Sequence, residues 1–415
     1  MVSNRMLKIG YAPAIRMITL FVILFATSLL PAEFFSPILI LCGLFSLFIS
    51  VGKLKTSLLN TIIPLLIIFV TGLIGIFNHE QRHVFRDIAY SLTPIALLMT
   101  GYWISENNKM WIAFFRFLVI GGFIVALIHL SKFILNPGLF TGDIAAIRLN
   151  ARNPNIDLVS LALIIALSRN KLKDGDLILK LLPGYVLIPI LFLSFILSFS
   201  RTGVVVLLVY IAAITGLIGK ISLKSVLIFL FLVTAFTVIV LTTPRDDVET
   251  FRGKLARSVR EVVIKEYKSF RDININWRGH ETWRALVTFK SGNVQQKILG
   301  HGFGSLVDLN MTMILAGEEF TEIPILHNGY AYILVKTGIL GLLSYLLFYV
   351  NLLYRSRSSI SCQDQEVIIL SRLLLGSAIV LMLTMFVVGG MAEIHNSEVV
   401  LLTGFVLRRL EQIRN

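Results

Sequence analysis

Two histidines and several arginines stand in short polar clusters between long apolar runs, and these residue types suit phosphate-linked group transfer. Histidine has an unperturbed pKa of about 6.5, so its side chain can act as a base near neutral pH. Arginine guanidiniums bind phosphate oxygens and neutralise negative charge that develops on a leaving group. The four clusters are Ser200-Arg201-Thr202-Gly203, Trp277-Arg278-Gly279-His280, His327-Asn328-Gly329-Tyr330, and a segment with Arg148, Arg152, Asn153, Asn155 and Asp157.

Composition indicates that these clusters belong to a membrane protein. The mean hydropathy is +0.82, and 56% of the 415 residues are hydrophobic, well beyond what the core of a soluble domain needs. Apolar stretches recur along the whole chain, so neither a cleaved signal peptide nor a single anchor accounts for them. Cys42 and Cys362, the only cysteines, form neither a disulfide framework nor a metal-ligand spacing.

Apolar windows of about 20 residues predict an all-α polytopic membrane protein with about 12 transmembrane helices. The predicted spans are 13–31, 37–52, 57–77, 87–104, 111–135, 154–169, 183–200, 203–219, 224–243, 327–350, 367–390 and 397–408. Lys and Arg are concentrated in alternate connectors and in the tail, which predicts that both termini are cytoplasmic. The formal charge of +14 is therefore interpreted as orientation of the spans, not as nucleic-acid binding.

One connector, residues 244–326, is long and polar and is predicted to be a helical periplasmic domain between helices 9 and 10. We call it the large loop; it separates helices 1–9 (1–243) from helices 10–12 with a cytoplasmic tail (327–415). Apolar spacing predicts an amphipathic surface helix over 248–270 and a second helix over 280–289. Three glycines in Gly300-His301-Gly302-Phe303-Gly304 predict a turn with positive φ or close backbone approach.

Each cluster alone also has an ordinary structural interpretation. Arg201 could reach lipid headgroups from the membrane interface, Arg278 could be ordinary loop basicity, and His327 could cap a helix. Arg148 and Arg152 could be solvated arginines ahead of a capped helix. Their combination on one predicted side of the membrane favours a site, because polar groups at membrane depth are costly unless they are used.

The sequence predicts chemistry without a metal or other cofactor. The acidic group nearest His327 in the chain is Glu318, Glu319 and Glu322, and a cation site built from them would follow no recognisable loop pattern. Arginines can do for a pyrophosphate what Mg²⁺ does in soluble transferases, because both neutralise charge on the leaving group.

The order of these motifs resembles the O-antigen ligase and polymerase superfamily of bacterial membrane proteins. The resembling residues are Phe199 to Gly203, Arg278-Gly279, Trp283, the Gly300 to Ser305 turn, His327-Asn328-Gly329-Tyr330, and Gly338-Ile339-Leu340-Gly341. The similarity covers roughly residues 190 to 345, and the topology with one large late loop is similar as well. The resemblance implies an inverting glycosyltransferase that uses a glycan on undecaprenyl pyrophosphate and needs no metal.

The resemblance also implies a role for each matching residue. His327 would be the general base that takes the proton of the acceptor hydroxyl, while Arg201 and Arg278 would bind the donor pyrophosphate. The remaining substrate-binding candidates are Arg148, Arg152, Asn328, Tyr330 and Trp283. The implied partners are the lipid-linked donor, a lipid A-core or lipid-linked acceptor, and membrane lipids, with no nucleic acid.

Several functions stay open at this point. The single large loop and modest length favour a ligase, which joins the glycan to lipid A-core, over a repeat-unit polymerase. A glycan or lipid transporter would also have about twelve spans, but transporters place ionisable residues or broken helices at the midplane. Here most polar clusters lie at span ends, with Lys336 and Arg116 as exceptions; a scaffold that has lost catalysis is a third reading. The expected location is the bacterial inner membrane, with the active site facing the periplasm.

Overall fold

The computed structural model describes most of the chain in ten ranges. These are residues 3–30, 32–50, 56–105, 111–140, 156–169, 184–218, 261–315, 318–360, 364–392 and 394–414, with single positions at 234, 238, 242 and 253. Arg148, Arg152 and nearly all of the predicted span 224–243 lie outside the described residues, so their assignments stay predictions.

The first half of the described chain is helical. Its helices are α1 (Ser3–Leu29), α2 (Ala32–Ser50), α3 (Thr56–Gly72), α4 (Gln81–Ile104), α5 (Trp111–Leu135), α6 (Ile156–Arg169), α7 (Gly184–Leu197) and α8 (Arg201–Ile214). A helix satisfies its own backbone polar groups, as lipid requires, and hydroxyl side chains do the same: Thr71 donates to the Ile67 carbonyl at 2.8 Å. Helix α4 lies at the centre of the bundle and packs against α2, α3 and the C-terminal helix.

Three described helices are long and apolar enough to cross a membrane. They are Ala113–Leu135, Gly329–Arg357 and Gln365–Val388. Five shorter apolar helices accompany them: Pro13–Thr27, Phe34–Ile49, Leu58–Gly72, Tyr185–Leu197 and Arg201–Ile214. The structure thus supports a mostly helical membrane protein, while the number of twelve spans stays a prediction.

The sequence predicted a helical large loop, but the described part of the loop also contains a β-hairpin. It contains α9 (Phe270–Ile275), α10 (Trp277–Ser291) and α11 (Val294–Leu299), followed by an antiparallel hairpin of β1 (Val307–Leu315) and β2 (Glu318–Ile323). The predicted helix over 280–289 is confirmed as part of α10. Residues 261–269, the described part of the helix predicted over 248–270 before its last residue, form neither helix nor strand, so the prediction is wrong there.

The hairpin forms because its residues alternate between two faces. Val307, Leu309 and Met313 are buried, whereas Asp308 and Thr312 between them point outward, as a half-buried strand requires. The register shifts between Asp308 and Met313, where Asn310 has a φ of 59°. Between these two paired positions β1 contains more residues than β2, which is a β-bulge.

The predicted span 327–350 is broken at Gly338. Helix α12 (Gly329–Ile360) has a φ of 67° and a ψ of −166° at this glycine. Tyr330 and Tyr345 would lie roughly 20 Å apart along a straight helix, yet their ring centroids are 6.1 Å apart. The limb before Gly338 therefore folds back on the limb after it. Its residues Ala331 and Val335 join the core of the large loop, whereas Ile333 joins the core of the helical bundle, so this limb packs against both.

Two further helices complete the bundle, α13 (Gln365–Val388) and α14 (Ser397–Arg414). Helix α13 packs against α8, α12 and α14. The C-terminal helix packs against α4. Its Phe405 ring also stacks on the ring of Phe114 in α5, with centroids 3.8 Å apart.

The glycine turn from Gly300 to Gly304 docks the large loop onto the helices. Its three glycines have φ values of 85°, 86° and 91°, which other residues rarely adopt, so the predicted turn is confirmed. The Phe303 N–H donates to the Gly72 carbonyl at 2.6 Å. A Cβ at Gly300 would lie 2.2 Å from the Lys336 carbonyl oxygen.

A buried ion pair fixes the same turn. Lys336 Nζ lies 2.7 Å from Asp87 Oδ2, and the two side chains are 2% and 0% exposed. The Gly304 N–H also donates to Asp87 Oδ2, at 2.8 Å, and Lys336 donates to the Ser305 carbonyl. Lys336 thus faces the interior and joins α4, the glycine turn and α12.

Candidate active site

His327 stands at the point where the large loop enters α12, and its backbone is fixed on both sides. Its N–H donates to Glu281 Oε1 at 2.6 Å, and its carbonyl accepts from the Gly389 N–H at 2.8 Å. The imidazole is 49% exposed. An anchored backbone with an accessible ring suits a side chain that must exchange a proton with a bound molecule.

Glu281 of α10 orients the imidazole. Its carboxylate is 1% exposed, and both oxygens lie 3.1 Å from His327 Nδ1. A carboxylate at this position favours a proton on Nδ1, which leaves the lone pair on Nε2. Glu281 therefore orients His327 as a base, with Nε2 as the atom that can accept a proton.

Arg201 and Arg278 converge on the carboxylate of Glu261. Glu261 Oε2 lies 3.0 Å from Arg278 Nη1 and 3.5 Å from Arg201 Nη2. Burial lowers the pKa of the Arg278 guanidinium; the Glu261 carboxylate raises this pKa and the Arg201 charge lowers it. The two arginines that the resemblance assigns to one anion therefore lie together, around an anionic side chain.

The arginine pair is adjacent to the His327–Glu281 pair. Arg278 and Glu281 are three residues apart on α10, so their side chains lie on the same helix face. The Glu281 charge also acts on the Arg278 guanidinium. A base and a cationic pair thus meet along one face of α10.

A tight turn holds Arg201 in place. Ser200 caps α8, its hydroxyl oxygen accepting from the Gly203 N–H at 3.0 Å. Arg201 is therefore the first residue of the helix, where unpaired N–H groups add partial positive charge. Phe199 just before it has a φ of 48°, which is uncommon for a residue other than glycine. The helix start raises the positive potential at this point, and the tight turn fixes the backbone that carries the guanidinium.

The close approach of another backbone segment requires a glycine at position 279, directly after Arg278. A Cβ at this position would lie 2.2 Å from the Val263 carbonyl oxygen. The Gly279 N–H donates to the Glu261 carbonyl at 2.7 Å. The glycine thus lets the segment that carries Glu261 approach the start of α10.

Three other predicted binding residues direct their side chains elsewhere. Asn328 Oδ1 accepts from the N–H groups of Tyr330 and Ala331 and so caps α12. The Tyr330 hydroxyl donates to the Met382 carbonyl at 2.9 Å. Trp283 lies about 200° around α10 from Glu281, and Lys290 Nζ lies 6.0 Å from its ring centroid. These contacts support the fold around His327 and do not bring the three side chains to the base.

Sequence reasoning missed both carboxylates of the site. Glu281 follows the Trp277 to His280 motif directly, and its spacing from Arg278 was a readable signal of a shared helix face. Glu261 carried no comparable signal, because it lies in a charged run that was interpreted as a surface helix. Among the residues that the structure describes, no three His, Cys, Asp or Glu side chains are grouped closely enough to hold a metal ion.

Comparison with known families bears on the same segment. Residues 185–346 match the sequence model of a family described as O-antigen ligase. The matched segment, which is less than half of the chain, is similar to this family. This match confirms the resemblance to the superfamily, and it supports a glycosyltransferase-like membrane enzyme. No curated protein proved similar to the chain.

The matched segment contains the whole arrangement built above. Arg201, Glu261, Arg278, Glu281 and His327 all lie within residues 185–346. Arg148 and Arg152 lie before it. The match covers nearly all of α7, then α8, the large loop and α12 as far as residue 346.

Proposed function

We propose that the protein is an O-antigen ligase, which transfers a glycan from undecaprenyl pyrophosphate to lipid A-core oligosaccharide. The transfer takes place at the periplasmic face of the inner membrane, inverts the anomeric centre and needs no metal. The observation that carries the proposal is the juxtaposition on α10 of a base, His327 with Glu281, and a guanidinium pair, Arg201 with Arg278.

The His327–Glu281 pair supplies the base. An acceptor hydroxyl gives its proton to His327 Nε2 while its oxygen attacks the anomeric carbon. Glu281 stabilises the imidazolium that forms, since its buried carboxylate faces Nδ1. Attack from the side opposite the pyrophosphate inverts the configuration.

The Arg201–Arg278 pair supplies charge for the leaving group. The bond between the anomeric carbon and the phosphate oxygen breaks, and the lipid pyrophosphate departs with its electron pair. This leaving group needs charge stabilisation more than a proton, and guanidiniums meet that need. The position of Arg201 at a helix start adds partial positive charge at the same place.

Transfer by purified protein tests the proposal. The full-length chain in lipid nanodiscs would receive a glycan on undecaprenyl pyrophosphate with a lipid A-core acceptor, in buffer containing a chelator. We expect product from the parent chain and none from His327→Ala. Loss of activity in the chelator, restored by Mg²⁺, would contradict the metal-independent mechanism.

The choice of acceptor separates the alternatives in the same assay. A second lipid-linked repeat unit replaces lipid A-core in a parallel reaction. Extension of that repeat without transfer to lipid A-core would assign the protein as a repeat-unit polymerase of the same superfamily. No transfer to either acceptor would favour the transporter reading.

A further inference from the structure

We propose that the Glu261 carboxylate is an internal substitute for donor phosphate, one that offsets part of the charge of the Arg201–Arg278 pair before the donor binds and is displaced when it does. The inference rests on the proposed function, because it takes these arginines as the pyrophosphate site. Carboxylates and phosphates use the same guanidinium donors. Glu261 Oε2 occupies the position between the two guanidiniums that a phosphoryl oxygen needs.

Charge balance favours displacement over shared occupancy. Two guanidiniums and one carboxylate leave a net positive charge, whereas a pyrophosphate diester carries a negative charge on each phosphoryl group. If Glu261 stayed, it would repel those oxygens at side chains only 15% to 22% exposed, where water screens charge weakly. If Glu261 leaves, the two arginines and the pyrophosphate neutralise each other.

The contacts that hold Glu261 allow its side chain to leave. The backbone is held by the Gly279 N–H to Glu261 carbonyl bond of 2.7 Å and by the Tyr267 hydroxyl, which donates to the Val263 carbonyl at 2.9 Å. Neither contact uses the Glu261 carboxylate, so both contacts can persist when the side chain rotates away. Val263 and Ile264 are exposed, so little apolar burial opposes a small movement of the segment itself.

Binding of inorganic pyrophosphate measures the competition directly. The probe would be titrated calorimetrically into the purified full-length protein in nanodiscs. Glu261→Gln removes the charge but keeps the size of the side chain and every backbone contact. We expect this variant to bind pyrophosphate about three- to tenfold more tightly than the parent. The factor follows from the energy of the partly exposed ion pairs that pyrophosphate no longer has to break.

Glu266→Gln is the matched control for charge. Glu266 is an exposed residue of the same segment, and its substitution changes the net charge equally. We expect it to bind pyrophosphate like the parent. Equal tightening by Glu266→Gln and Glu261→Gln would mean a general electrostatic effect and would overturn the proposal.

Two other results for Glu261→Gln also contradict displacement. Weaker binding would mean that Glu261 aligns the arginines for the donor, and unchanged binding would mean that it does not compete. Arg278→Gln tests the proposed function separately, because that variant must lose pyrophosphate binding. If Arg278→Gln binds like the parent, the arginines are not the donor site, whatever Glu261→Gln does.

Discussion

His327 presents Nδ1 to the buried carboxylate of Glu281 at 3.1 Å, although 46 residues separate the two in the chain. The same carboxylate also accepts the His327 backbone N–H. One side chain therefore sets the position of the loop end, the orientation of the ring and its tautomer. Nε2, the ring nitrogen that does not face Glu281, is the one that the proposed transfer uses.

Glu281→Gln is expected to lower kcat for glycan transfer by about 100-fold or more, within the range that general base catalysis contributes. Glutamine keeps the shape and can accept the backbone hydrogen bond, but it carries no charge to stabilise an imidazolium. The measurement is steady-state transfer with varied donor, where KM should change little. Glu319→Gln, an exposed glutamate on β2, serves as control. Parental kcat in Glu281→Gln would show that the carboxylate is only structural.

Asp87→Asn or Lys336→Met should each destabilise the protein strongly. Removing one partner leaves an uncompensated charge or a broken buried contact, which costs about 3–5 kcal/mol. The thermal unfolding temperature in detergent measures the loss. The double variant Asp87→Asn with Lys336→Met should recover part of it, because no charge then stays buried alone.

The control for that prediction is the exposed pair of Arg284 and Asp308. Their side chains are 2.9 Å apart, but Asp308 is 56% exposed. Asp308→Asn is therefore expected to cost less than about 1 kcal/mol. Equal losses for Asp87→Asn and Asp308→Asn would refute the role given to the buried pair.

Gly300→Ala is expected to dislodge the glycine turn. The new Cβ would meet the Lys336 carbonyl oxygen at 2.2 Å, and the residue has a φ of 85°. Gly389→Ala separates the two effects, since Gly389 has a φ of 82° but nothing lies within 4 Å of its added Cβ. Unfolding temperatures should fall for both variants and clearly more for Gly300→Ala. Similar losses would mean that backbone strain alone matters here.

The stability of the large loop should decrease in acid through His280. Burial lowers the pKa of this imidazole, with a smaller lowering from Arg284, while the nearby Leu309 backbone and the Glu281 charge oppose the shift. The folded pKa is thus below the unfolded value of about 6.5, so protonation favours the unfolded state as pH falls below 6.5. Stability attributable to His280 is present above that pH and is lost below it.

Unfolding temperatures between about pH 7.5 and about pH 5 check this prediction, because this range includes the unfolded-state pKa of about 6.5. The parent chain should lose stability over this range faster than His280→Gln, which has no proton to gain there. Identical slopes for the two proteins would show that His280 does not drive the acid sensitivity.

The sequence predicted what depends on composition and on local motifs. Apolar runs gave the helical membrane architecture, and the glycines at 300, 302 and 304 gave a turn that has positive φ at each. Arg201, Arg278 and His327 were selected by motif order, and the structure brings the two arginines together around Glu261. Alternation in Val307 to Met313 also signalled a strand, but that signal was not used.

What escaped prediction depends on contacts between distant segments. Glu281 becomes a partner of His327 only because the large loop folds back on α12. The break at Gly338 is hidden within an apolar run, where a glycine is compatible with a straight span. Asp87 and Lys336 are 249 residues apart in the chain, and only the tertiary structure pairs them.

The most direct test of the central claim is complementation of a bacterial strain that lacks its O-antigen ligase. The parent chain, His327→Ala and Arg201→Ala would be expressed at matched levels, and lipopolysaccharide would be separated on a gel. The account predicts a ladder of O-antigen chains for the parent and bare lipid A-core for both variants, because they remove a base and a charge contact with little packing. A full ladder from His327→Ala would contradict the proposed mechanism.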